Sequence, residues 1–147
     1  ERHGDRWLRY GGLQTLQSFG VSLDHGQSAA KRFMDCRDAL RDAMGAGLID
    51  WIRDLPLSWV SGNVAVVHAA ADPSRPLGEQ EPSVLCWGHP DFLRRPRGDG
   101  LWVVHGHTIV DDARAASGRI AVDTGAYATG RLSAAVISAG RVDFIGT

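Results

Sequence analysis

Leu101-Trp102-Val103-Val104-His105-Gly106-His107-Thr108 is an apolar run that stops on two histidines parted by one glycine and followed by a hydroxyl residue. That order suits a strand delivering imidazoles into a loop at a sheet edge. Val64-Ala65-Val66-Val67-His68-Ala69-Ala70 repeats the plan, again an apolar run ending at a histidine. Residues i and i+2 of an extended segment point to one face, so the rings of His105 and His107 can approach a single site, with His68 as a third imidazole. Gly106 between them permits a close backbone approach or a positive φ. Neutral imidazole is the commonest transition-metal ligand, and a catalytic metal takes three or more protein ligands, so spacing alone leaves a metal or phosphate role open for this trio. Taken singly, His3, His25 and His89 read as hydrogen-bonded structural histidines.

Outward from these strands the pattern is mixed. Ala29, Phe33, Cys36, Leu40 and Met44 recur at helical spacing, with Ser28 as N-cap and Gly45 or Gly47 as the close. A second short helix over 47–55 stops at Pro56, because proline disfavours the α region in the residue before it; Trp51 and Leu55 are expected to face the core. Leu57–Val60 and Val64–His68 flank Ser61-Gly62-Asn63 and read as a hairpin. Residues 72–82 hold three prolines and read as a loop. Arg119–Asp123 is a strand entering the small-residue turn Thr124-Gly125-Ala126, and Leu132–Ser138 with Arg141–Ile145, joined at Ala139-Gly140, form a closing hairpin. Helices followed by short strands predict an α+β or layered α/β domain.

Composition narrows the partners. The chain has 147 residues, enough for one domain with a core, and 16 basic residues nearly balance 17 acidic ones, for a net charge of −1. Nothing in that balance attracts nucleic acid or an anionic membrane. No stretch approaches the roughly 20 apolar residues of a bilayer span, and the N-terminus is too polar for a signal peptide, so a cytoplasmic setting is expected. Cys36 and Cys86 lack CxxC spacing and read as buried thiols. No G-x-S-x-G elbow offers a serine nucleophile, and the glycine-rich phosphate loops GxGxxG and GxxxxGK[ST] are absent.

A longer series of motifs carries more. Trp7-Leu8-x-Tyr10-Gly11-Gly12-x-x-Thr15-Leu16-x-Ser18-Phe19-Gly20, Leu55-Pro56, Val67-His68-Ala69, Pro76-Leu77-x-x-Gln80, Leu85-Cys86-Trp87, Val104-His105-Gly106-His107-Thr108 and Asp123-Thr124-Gly125-Ala126-Tyr127 follow one another in order. The set resembles the bacterial serine/threonine-phosphatase-like members of the calcineurin-like metallophosphoesterases, close kin of the symmetrical diadenosine tetraphosphatases. The resemblance implies a layered β-sandwich flanked by helices, of which residues 1–147 would be the C-terminal portion, and metal-dependent hydrolysis of a phosphoester by water activated at two divalent ions, manganese first, iron or zinc otherwise. It implies that His68 and His107 are ligands of one of these metals, that His105 is a neighbouring active-site residue, and that Tyr127 lies near the substrate phosphate. Asp123 and Thr124 would support the ligands from behind.

Two departures bear on that expectation. The family's opening motifs, of the types GDxHG, GDxxDRG and GNHE, are absent; His3-Gly4-Asp5-Arg6 and Asp24-His25-Gly26 only echo them in the wrong order. Where the family usually has a phosphate-binding arginine this chain has His89, with Arg94 or Arg95 to stand in. The expected partner is a phosphorylated protein or a small phosphoester. The alternatives are a dinucleoside polyphosphate hydrolase, or a non-catalytic remnant or binding module if no N-terminal half exists. The chain alone is expected to be inactive, and to need that half or self-association to cover its sheet edges.

Overall fold

The structure, a computed structural model, describes residues 2–24, 26 and 28–147; His25 lies outside the described residues, as does the side chain of His3. The fold is α+β, in two compact units, Glu1–Leu55 and Pro56–Thr147. The division falls at Pro56, the residue the sequence marks as a helix stop. No helix among the described residues is long and apolar enough to cross a membrane.

The first unit is helical. Helix α1 (Arg2–Trp7) runs through a π-turn at Leu8–Gly12 into α2 (Leu13–Ser18). Tyr10 and Gly11 leave helical geometry there, and Gly12 packs on Trp7 so closely that a Cβ would lie 2.6 Å from the indole. Helix α3 (Ala29–Asp54) begins where Ser28 accepts a hydrogen bond from the Lys31 N–H and bends at Gly45, whose φ of 73° and ψ of 156° break the helix where the apolar periodicity first ends. Leu16 and Cys36 are buried in this unit. Trp51 does not face the core: it is 61% exposed, and Leu48, Ile52 and Leu55 of the same stripe are exposed with it. Helical spacing aligns such a stripe on one face without providing a surface to cover it.

The second unit holds the site. Its five-stranded sheet runs β1 (Ser58–Ser61), β2 (Val64–Val67), β3 (Trp102–His105), β5 (Arg119–Ala121) and β4 (Arg114–Ala116) in spatial order. β2, β3 and β5 are parallel, and β1 and β4 flank them antiparallel. The expected first hairpin forms with a two-residue turn, Gly62-Asn63, in which Gly62 takes a φ of 57°. Ala65, Val67 and Val103 point into a core with Ala70, Ala71, Leu85 and Phe92. Leu85 belongs to α4 (Pro82–Trp87), a single turn and a half started by proline at its first position and stopped at Gly88 (φ 106°). β4 and α5 (Ala126–Thr129), the latter in the small-residue turn, go beyond the sequence reading, as do α1, α2 and α4. A second sheet pairs β6 (Ser133–Ser138) with β7 (Arg141–Gly146), the closing hairpin expected.

Candidate functional site

The parallel strands β2, β3 and β5 end together, and the residues that follow them are His68, Gly106-His107 and Val122-Asp123. Carboxyl ends of adjacent parallel strands are the usual place for a ligand site in such sheets. Here the loops are tied to each other: the Gly106 N–H donates to the His68 carbonyl at 2.9 Å, and the Val122 N–H donates to the His105 carbonyl at 3.1 Å.

His68 and His107 come together. Their ring centroids are 5.2 Å apart with an interplanar angle of 66°, and both residues are exposed. Trp87, at the end of α4, lies edge-on to His107 at 6.2 Å between centroids. The position of α4 follows from Leu85, which is buried in the core and whose carbonyl accepts the Ala69 N–H at 2.8 Å, directly after His68.

His107 is one of two non-glycine residues with positive φ among the described residues, at 62°. The Thr108 N–H donates to the Gly106 carbonyl at 2.6 Å, so His107 is the central residue of a γ-turn of the rare positive-φ kind. The positive φ falls on His107 and not on Gly106, whose Cβ position has ordinary contacts at 3.6 Å from Asp123 and the His68 carbonyl. Strain of this sort costs on the order of 1–3 kcal/mol and persists where surrounding structure holds it.

That turn also parts the two histidines of the opening motif. Strand geometry ends at His105, the alternation rule lapses at Gly106, and the rings diverge. His105 is 2% exposed, packed edge-to-face on Phe92 with centroids 4.9 Å apart, its Nδ1 at 3.2 Å from the Gly106 carbonyl oxygen. The spacing argument for a trio of imidazoles is therefore corrected to a pair, because His105 lies in the core. Burial holds the His105 imidazole below its ordinary pKa, against the opposing pull of the Gly106 carbonyl.

Of the residues expected at the substrate phosphate, His89 and Arg95 are engaged elsewhere. His89 accepts the Asp91 N–H on Nδ1 at 3.3 Å and directs Nε2 toward the Asp72 carboxylate at 3.7 Å. Asp72 is held below the usual carboxylate range by hydrogen bonds from the Ser74 hydroxyl and the Ser74 N–H. Arg95 pairs with Asp91 at 3.6 Å, Arg94 is exposed, and Tyr127 is 90% exposed on α5. The Asp123 Oδ1 accepts the Gly125 N–H at 2.9 Å, and its carbonyl accepts the Val110 N–H at 2.9 Å. Thr124 is buried and donates to the Arg131 carbonyl at 2.7 Å.

One structural element had no signal in the sequence. Arg97, with a side chain 4% exposed, donates to the carbonyls of Asp72 and Arg75, each at 2.8 Å, and pairs with Asp99. Gln80 closes the same loop from within, accepting the Asp72 N–H at 2.7 Å and donating to the carbonyls of Asp72, Arg75 and Pro76.

Among the described residues, no group of three or more His, Cys, Asp or Glu side chains is arranged to hold a metal ion. A scan against protein-family models finds no match for the chain, and a search of curated proteins finds none either.

Proposed function

We propose that this chain carries part of the active site of a metal-dependent phosphoesterase, with His68 and His107 as two nitrogen donors to one divalent ion. The observation that carries the reading is their separation of 5.2 Å between ring centroids across two parallel strand ends. Two imidazoles bound to one tetrahedral ion, each nitrogen about 2.1 Å from it, have ring centres roughly 5 Å apart. The pair fits as two ligands of an ion. It falls short of the three or more that a catalytic centre takes, so the remaining donors would come from outside the described residues. A bound ion supplies Lewis acidity and a water of lowered pKa for attack on phosphorus. The chain's own residues bind and orient: the γ-turn aims His107, the Gly106–His68 hydrogen bond fixes the spacing, and neutral His105 fills the core beneath.

In the full-length protein, manganese-dependent hydrolysis of para-nitrophenyl phosphate that falls at least a hundredfold in His107→Ala is the expected result. Undiminished turnover in that variant would overturn the assignment. The two-donor count also favours a second reading, a binding module that takes up a metal or a partner without turnover. Metal uptake through His68 and His107, with no phosphatase activity in the full-length protein, would select it.

A further inference from the structure

We propose that β1 is a self-pairing edge through which two copies of this chain join their five-stranded sheets, antiparallel and in register about Trp59. The inference is independent of the phosphoesterase reading. β1 stands at the end of the sheet, and β2 is its one strand neighbour among the described residues. The usual guards of such an edge are missing from it. Residues 55–67 carry no charge, the ladder from Ser58↔Val67 to Ser61↔Val64 has no bulge, and Trp59 and Val60 are 59% and 48% exposed. The opposite edge of the same sheet, β4, is shorter and carries Arg114. The two-residue turn at Gly62-Asn63 makes Ser61↔Val64 and Trp59↔Val66 hydrogen-bonded pairs, so the N–H and C=O of Ser58 and Val60 point away from β2. An antiparallel second copy with Ser58 opposite Val60 satisfies all of these groups. Sliding that copy by two residues in either direction does not, since it opposes Val60 with Pro56, which has no N–H, or Ser58 with Gly62 of the turn, at φ 57°. The favoured register sets Trp59 opposite Trp59 of the second copy as a non-hydrogen-bonded pair, with Cα atoms about 4.5 Å apart, where cross-strand side chains come closest. The row of Trp59, Val66 and Val104 across one sheet then continues into the same row of the copy. The strand is its own complement and has no charge with which to select another kind of chain, so its occupant is a second copy. A strand of 4 residues buries less than the roughly 1,200 Å² of a stable interface, so the pairing is expected to exchange in solution.

The test is sedimentation velocity of the chain from micromolar to millimolar concentration, with urea midpoints to show that each variant folds. The wild type is expected to pass from monomer to dimer. Trp59→Lys opposes two like charges at the two-fold, and Ser58→Pro removes an outward N–H at an edge position that tolerates proline; each should weaken association at least tenfold. Trp59→Phe should keep most of it. Trp59→Cys, in a chain also carrying Cys36→Ala and Cys86→Ala, should form a disulfide-linked dimer under mild oxidation. Val66→Cys in the same background should not, because its Cα lies one strand further in, well beyond the roughly 7 Å that a disulfide spans. A chain that stays monomeric at millimolar concentration overturns the proposal and leaves the edge to an extended segment of another protein. Association that survives both Trp59→Lys and Ser58→Pro overturns it too, and moves the contact to another surface such as the exposed stripe of α3 or the edge of β6.

Discussion

The N–H of Gly106 donates to the carbonyl of His68 at 2.9 Å, and this one bond sets the distance between the two loops that carry the paired imidazoles. Because the bond is made by backbone, side-chain changes at Gly106 leave it in place. Gly106→Ala, whose Cβ would meet Asp123 and the His68 carbonyl at 3.6 Å, is expected to fold with stability within about 1 kcal/mol of wild type and to keep metal uptake. A loss of either, seen by urea denaturation and by calorimetric titration, would mean that the loops approach more closely than this.

His107 should show a conflict between stability and function. An L-residue in the left-handed region costs about 1–2 kcal/mol, so His107→Gly is expected to be at least as stable as His107→Ala and more stable than His107→Val. All three should lose metal binding. Urea midpoints for the series test the ordering, and Gly falling below Val would contradict the positive φ of 62°.

Metal preference follows from ligand type. Two imidazoles without a carboxylate favour copper, nickel and zinc over manganese, in the order common to nitrogen sites. Titration of the 147-residue chain should show zinc binding at least tenfold tighter than manganese, abolished in His68→Ala and in His107→Ala. Equal uptake of manganese would point to oxygen donors that the described residues do not provide.

Acid should weaken the second unit through His105. Its folded-state pKa is depressed by burial, so below the ordinary imidazole value of about 6.5 the unfolded chain binds a proton that the folded chain does not. Stability is therefore fully present above that value and falls as pH drops from it toward the lower folded-state pKa, with a slope of at most about 1.4 kcal/mol per pH unit. His105→Phe, which keeps an aromatic side chain against Phe92, should flatten that stretch of the pH profile. An unchanged profile would show that His105 titrates freely.

Arg97→Ala is expected to lower stability by about 1–3 kcal/mol, since it removes the guanidinium that shares the Asp72 and Arg75 carbonyls with the Gln80 amide and leaves Asp99 without its ion-pair partner. Arg97→Lys should recover less than half, because an ammonium lacks the fork that reaches these groups together. Thermal melts of the two variants decide it.

Much of the architecture was legible because single residues carry its punctuation. Ser28 caps α3, Gly45 bends it and Pro56 follows its end; Gly62-Asn63 and Ala139-Gly140 close the two hairpins. β4 and α5 escaped because Arg114-Ala115-Ala116 has no β-branched residue and Ala126–Thr129 is barely one helical turn, too short for a periodicity to repeat. Trp51 and Leu55 were misplaced because periodicity tells which residues share a face, and burial depends on what lies opposite. The candidate site was half legible. Two apolar runs ending in histidine located His68 and His107, but the alternation of a strand could not reveal that a γ-turn takes His107 off the face it would share with His105, whose ring follows Val103 into the core. His89 and Arg95 were named for phosphate, while Asp72 and Asp91, acceptors distant or adjacent in sequence, engage them in the fold.

The direction of the central strands has one more effect. β2, β3 and β5 all run toward the histidine loops, so the tight turns Gly62-Asn63 and Ser117-Gly118 lie at the opposite rim, roughly 13 Å away along strands of about four residues. That rim is where the molecule can be handled: a fluorophore, an affinity tag or a surface tether spliced into either turn would report on the imidazole pair without crowding it.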